Sequence, residues 1–168
     1  MEIQPLPNTG MTKILGLCEA LDDRGGRDDV YRLARDLQIK FGDLILTIKG
    51  GEALRLLSTP GADVMLEPLG KRVIEVKMNE KKGILREQLK TLGLFQHFVQ
   101  LLLQQPERSM MKEAVVEEIA KVLPHENTTQ TFNTLLNWGR YGEIFNFSRD
   151  TNTFSIDSDY GKTSIASP

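Results

Sequence analysis

"NTLLNWGRYGEIFNF", Asn133–Phe147, holds the chain's one Trp, one of its three Tyr and two of its seven Phe, with an Arg and two Gly among them. Leu135, Trp138 and Tyr141 recur at three-residue spacing and can share one face of a helix. Phe145 and Phe147 then alternate, as strand residues facing one side do. The period changes around Gly142, where a residue without Cβ permits a tight exit. The stretch therefore reads as a helix that turns into a strand, with its aromatic side chains closing a core at the junction. Three roles stay open for Arg140: pairing with Glu143 or Glu118, stacking on an aromatic ring, or reaching a partner.

Outward from this junction, the spacing predicts two further helices before it. Ile84–Gln104 carries Leu85, Leu89, Leu92, Phe95, Val99 and Leu102 on one stripe, with Pro106 beyond its end. Met111–Leu123 carries Val115, Ile119 and Val122. After the helix Thr129–Tyr141, "IFNFS" and "TFSID" alternate as two strands around the turn "RDTN". Leu94, Phe98, Leu101 and Leu103 lie off the stripe of the long helix. A helix apolar over most of its circumference needs packing on more than one side, which predicts a central strut against the first half or a second copy of the chain.

The first half has the same order. Thr12–Leu21 is apolar on one face, Gly25-Gly26 breaks it, and Asp28 or Asp29 can cap a helix Val30–Leu37. A third helix starts near Asp43 and carries Leu44, Ile45 and Ile48, then Leu54, Leu56 and Leu57, with Gly50-Gly51 weakening its middle. "STPGAD" turns, "VMLEP" reads as a strand, and Leu69–Val76 as helix or extended chain. Three helices followed by a short β-ribbon, twice over, predicts a mainly α protein with short β-hairpins arranged as tandem winged-helix domains. The expected domains are 8–78 and 82–157, joined at "KMNEKKG", with a disordered tail at 158–168.

Composition bounds the chemistry. At 168 residues, 40% hydrophobic and 26% charged, the chain can bury a core without staples. A net charge of -2 lacks the basic excess of a typical nucleic-acid binder. One cysteine, Cys18, excludes a disulfide framework and a cysteine-cluster metal site, and its helical spacing with Ile14, Leu17 and Leu21 makes it a core residue. His97 and His125 stand far apart, each without a second ligand at metal spacing. Gly161-Lys162-Thr163 resembles the end of a phosphate-binding loop, but Ile156 stands where the pattern needs glycine. No catalytic, metal or cofactor site is expected, and the chain reads as a non-enzyme. The absence of an apolar signal region or an 18-residue apolar run predicts a cytoplasmic protein without membrane insertion.

Three pieces carry a more specific signal: "PLPNTGMTKILGLCEALDDRGGRDDVYRLARDL" (Pro5–Leu37), "LREQLKTLGLFQHFVQLLLQQPE" (Leu85–Glu107) and "TLLNWGRYGEIFNF" (Thr134–Phe147). Together they resemble the AAA-associated C-terminal domain, a family that follows the ATP-binding subunit of ABC importers of the nitrate, sulfonate and bicarbonate type. Within them, "GGRDDVYRLA" and "NWGRYGEIF" exceed what a generic winged helix requires. The resemblance implies a prokaryotic accessory module without catalytic residues, at the inner face of the membrane through a transporter complex. It implies action through protein–protein or effector binding, with an ATPase or another protein as partner; the off-stripe residues of Ile84–Gln104 add a homodimer as a further expectation. No family ligand residue carries over. The chain departs from the family at "LRLLSTPGADVMLEP", where an apolar "ELLGF" is usual, so the first wing is expected to be altered. The ATPase itself is missing, which fits an excised domain or a stand-alone relative. The candidate interaction residues are Trp138, Arg140, Tyr141, Phe98 and Leu101.

The alternative is a DNA-binding regulator. "TTQTFNTLLNWGR" is rich in Thr, Gln and Asn, side chains that can read base edges, and has no acid. It offers only Arg140 for phosphates, and the corresponding first-half helix carries Asp43 and Glu52, so nucleic acid is not the expected partner.

Overall fold

The apolar stripe that starts the chain forms α1 (Met11–Asp23), which buries Met11, Ile14, Leu15, Leu17, Cys18 and Leu21. In the computed structural model, which describes residues 2–160, the chain divides into two units. Among the described residues one comprises Pro7–Lys81 and the other 2–6 together with 82–160.

In the N-terminal unit α1 ends as the glycine pair requires. Gly25 and Gly26 adopt φ of 83° and 91°, and their N–H groups donate to the carbonyls of Asp22 and Leu21. This double closure uses a left-handed residue just past the helix, where glycine has no Cβ to clash. The strand β1 (Arg27–Asp29) follows, then α2 (Val30–Leu37), capped by the Asp29 carboxylate accepting from the N–H groups of Tyr31 and Arg32. The helix α3 (Phe41–Ala53) leads into β2 (Leu57–Ser58), a turn with Gly61 at φ 65°, β3 (Asp63–Leu66) and α4 (Pro68–Glu75). The three strands form an antiparallel sheet in the order β1-β3-β2, with Asp28 opposite Val64 and Leu57 opposite Leu66. The β2–β3 pairing forms despite the altered sequence at this point.

The C-terminal unit repeats this order. The division between the units falls within α5 (Met78–Leu89). Then come α6 (Gly93–Leu103), β4 (Ser109–Met111), α7 (Lys112–Val122), α8 (Thr128–Tyr141), β5 (Phe145–Ser148) and β6 (Thr153–Ile156). The sheet order is β4-β6-β5, antiparallel throughout.

Both units make the helix-to-strand exit in the same way. Past α3, Arg55 takes φ 61° and the Leu56 N–H donates to Gly51 O; past α8, Glu143 takes φ 57° and the Ile144 N–H donates to Gly139 O. A Cβ on Gly51 would lie 2.4 Å from Leu57 Cδ1, and one on Gly139 2.5 Å from Phe145 Cδ2. Each glycine thus lets the side chain six residues later fold back onto its own helix. Gly51 is a packing contact rather than a weak point, and Gly50 likewise lies against Ile14 and Thr9.

Three expectations need correction. Leu54, Leu56 and Leu57 are buried but lie beyond α3, because the chain leaves the helix at Ala53. Each expected two-stranded ribbon is a three-stranded sheet, completed by a short strand ahead of the second helix. The single helix Ile84–Gln104 is two helices, α5 and α6, parted at Lys90–Leu92. There Thr91 Oγ1 donates to Gln88 O at 2.6 Å and Gln96 Nε2 to Lys90 O at 2.8 Å, so side chains satisfy the broken ladder. After the break α5 buries Leu85, Arg86 and Leu89, and α6 buries Leu94, Phe95, Phe98 and Leu102. On α6 the buried residues come from both sets, Phe95 and Leu102 from the stripe and Leu94 and Phe98 from off it.

Of the expected tail, Ser158–Tyr160 form a turn in which the Tyr160 N–H donates to Asp157 O at 2.9 Å. Residues 161–168, including Gly161-Lys162-Thr163, lie outside the described residues.

Candidate functional site

Trp138 is 0% exposed, on the face of α8 that also buries Leu135. Next to it in the sequence, Gly139 receives Phe145, whose ring stacks on Phe95 at 5.4 Å and meets Phe154 at 4.8 Å. Phe98 is fully buried and meets Phe154 edge-on at 6.4 Å. Leu101 and Tyr141 are half-buried. Trp138 and Phe98 are therefore core residues here and present no free surface.

Arg140 is exposed, and its Nη2 donates to Phe147 O at 2.7 Å, tying the end of α8 to β5. Both acids considered for it are engaged elsewhere. Glu118 Oε2 lies 2.6 Å from His97 Nε2, and Glu143 Oε1 accepts from Arg86 Nη2 at 3.1 Å. Arg86, on α5, is only 5% exposed, and its Nε also donates to Gly142 O at 2.5 Å. One buried guanidinium thus caps the last turn of α8 and holds the left-handed residue after it. A cation near a helix C-terminus is also favoured by the helix dipole.

The "GGRDDVYRLA" motif builds a comparable network in the N-terminal unit. Asp28, 8% exposed, accepts from Arg24 at 2.6 Å and Arg32 at 3.2 Å, while Asp36 accepts from Arg24 at 3.1 Å. Desolvation pushes the Asp28 carboxyl up, but the Asp29 N–H, Arg24 and Arg32 together outweigh it and hold it below its ordinary value. Hydrogen bonds from Arg24 and Arg35 lower Asp36 as well. Groups lowered on folding contribute stability above their unfolded pKa, and that stability is lost as pH falls through the folded one. The melting temperature of this unit should therefore drop as the pH falls below about 4. In thermal melts followed by circular dichroism at pH 7 and pH 3, Asp28→Asn should shrink that drop. An unchanged drop would remove Asp28 from the account.

Cys18 is fully buried, and burial, with a smaller contribution from the Glu19 carboxylate, pushes its thiol up to about 12. A group held protonated at neutral pH is no nucleophile, so Cys18 is a packing residue. Among the described residues no group of three His, Cys, Asp or Glu could hold a metal ion. No helix of the described residues is long and apolar enough to cross a membrane.

An apolar groove lies away from the residues that the sequence singled out. A groove of about 540 Å³ runs along α1 and α3 of the N-terminal unit, closed at one end by the α2–α3 turn. Leu17, Ala20, Leu37 and Leu44 line it, and Lys13, Lys40 and Asp43 stand around it. On the α2–α3 corner Tyr31, 65% exposed, stacks on Phe41 at 5.0 Å. Gly16 lies on the groove in the middle of α1, exposed, and a Cβ there would meet nothing within 4 Å. A mid-helix glycine costs about 1 kcal/mol relative to alanine, and no internal contact explains it. Gly16→Ala should therefore raise the unfolding free energy by about 1 kcal/mol in urea titrations. A loss of stability would mean that the glycine is internally required. Gly16 was the sequence signal for this groove, an apolar-helix position occupied by the one residue that brings no side chain.

A family model described as the C-terminal AAA-associated domain matches residues 31–148, from α2 of the first unit to β5 of the second. Comparison with curated proteins and with solved structures returned no match. The matched region covers most of the chain and both units, and the chain belongs to the C-terminal AAA-associated domain family.

Proposed function

We propose that each unit is a winged helix and that the chain is a non-catalytic binding module for the ATP-binding subunit of an ABC importer, of the nitrate, sulfonate or bicarbonate type. Family membership points to an accessory module of an ATPase-type protein, and that match is the observation that carries the reading. The helix–strand–helix–helix–strand–strand order of each unit, with the third strand central, supports the winged-helix assignment. The mechanism is a population shift: the module binds its ATPase differently in two nucleotide states and biases the equilibrium by that difference.

The test is to mix the purified chain with an ATP-binding subunit of an ABC importer of this type from the same organism and measure co-elution and ATP hydrolysis. The reading expects a complex, with no hydrolysis by the chain alone. Hydrolysis by the chain, or no association at any concentration up to about 100 µM, would reject it.

A DNA-binding reading keeps one observation in its favour, the exposed Thr129, Gln130 and Asn133 on α8. Arg140, its phosphate candidate, is already tied to Phe147 O. A specific Kd on the order of 10⁻⁸ M for duplex DNA at about 150 mM salt would promote this reading over the first.

A further inference from the structure

We propose that the groove between α1 and α3 is the docking site for an amphipathic helix of a partner protein whose polar flank is acidic. The inference rests on the reading of the chain as a binding module, and it names the surface and the chemistry of what binds there.

Four observations converge on it. Lys13, Gly16, Leu17 and Ala20 are spaced by three, one and three along α1, so they form one face about two turns long. The facing wall, Asp43, Leu44 and Thr47, is spaced by one and three on α3, again one helix face. Such a trough accepts a helix laid between the two, which presents apolar side chains at i, i+3, i+4 and i+7. Gly16 and Ala20 leave the α1 wall low, and Gly16 forgoes helix stability without an internal contact to explain it. An outside backbone passing close to α1 supplies that missing reason.

The charges select the occupant. Lys13 and Lys40 are exposed, and among the described residues neither ammonium is held in an ion pair. The one rim acid, Asp43, occupies the first turn of α3, where the helix dipole favours it. Thr47 Oγ1 is already bonded to Thr9 Oγ1 at 3.0 Å and to Asp43 O at 3.1 Å, so the wall presents no unmet hydroxyl. Two cations beside an apolar floor complement a helix with glutamates or aspartates flanking its stripe. A second copy of this chain laid in the groove is a separate outcome, which the test distinguishes by concentration-dependent dimerisation. The exposed Tyr31–Phe41 stack, beside the turn that closes the groove, extends the apolar surface toward the partner.

The test titrates the isotopically labelled full chain, followed by NMR, with two helical peptides of about 18 residues. They share one stripe of Leu and Ile at helical spacing and differ only in Glu or Lys on the flanks. The proposal expects the Glu peptide to bind at least tenfold tighter and to shift the amide resonances of Gly16, Leu17, Ala20 and Ile39. The double variant Lys13→Glu/Lys40→Glu should reverse the preference, and Gly16→Trp should abolish binding with its melting temperature retained. Equal affinities, shifts that map elsewhere, no binding at millimolar peptide, or an unreversed preference in the double variant would each overturn it. Concentration-dependent dimerisation that Gly16→Trp abolishes would assign the groove to a second copy and also overturn it. If Gly16→Trp still binds the ATP-binding subunit as wild type does, the groove is wrong while the module reading stands. If wild type binds the acidic peptide but no ATPase, the module reading fails and the groove survives.

Discussion

Trp138→Ala should lower the unfolding free energy by about 3–5 kcal/mol, the range for truncating a large core aromatic. The indole is 0% exposed and sits where α8 prepares to leave the helix for β5. On the same helix Leu135 is fully buried, and the neighbouring Gly139 lies against the fully buried Phe145, a close contact that leaves little freedom for collapse. A cavity that cannot collapse puts the cost toward the upper end of the range. The measurement is urea denaturation by circular dichroism, since the variant loses the chain's one Trp as a fluorescent reporter. A wild-type midpoint would show that the ring contributes no core packing.

Arg86→Ala should cost about 2–4 kcal/mol. Breaking a buried pair by removing one partner typically costs about 3–5 kcal/mol, and the Glu143 side chain, 30% exposed, can recover part of its solvation. The change removes both the donor to Gly142 O and the counter-charge of Glu143. It also leaves a void beside Leu89, which approaches Gly142 closely. Arg86→Lys should restore only a fraction, because an ammonium cannot reproduce the planar fork that spans the two acceptors. Denaturation midpoints of both variants decide it: a cost below about 0.5 kcal/mol for Arg86→Ala would mean that water replaces the guanidinium.

The elements most legible in the sequence are those fixed by local chemistry. Val30–Leu37 is readable because Asp29 caps it and the glycine pair precedes it, and both features act within a few residues. The switch from α8 to β5 is readable because the apolar period itself changes there. The gap between α5 and α6 is hidden because the apolar spacing continues through Leu89, Leu92 and Phe95 while the backbone does not. The side-chain bonds from Thr91 and Gln96 that satisfy the gap are ones no periodicity reports. The strands β1 and β4, of three residues each, exist through pairing with β3 and β6 far along the chain. Arg-Asp-Asp shows no strand pattern by itself. Nothing in the sequence marks Arg86, since only the folded neighbours Gly142 and Glu143 reveal it as a buried cap. The aromatic cluster was read correctly as a helix-to-strand junction. The candidates Trp138, in that cluster, and Phe98, on α6, fill the core, while the groove lies in the other unit.

The central claim is that the chain serves an ATPase by binding its nucleotide states unequally. The most direct measurement is the Kd of the full chain for the ATP-binding subunit, loaded in turn with ADP and with a non-hydrolysable ATP analogue, by isothermal titration calorimetry. The account predicts binding in both states with Kd values at least tenfold apart, a coupling of about 1.4 kcal/mol. Equal affinities would leave the module unable to shift any equilibrium, and no binding in either state would contradict the account outright.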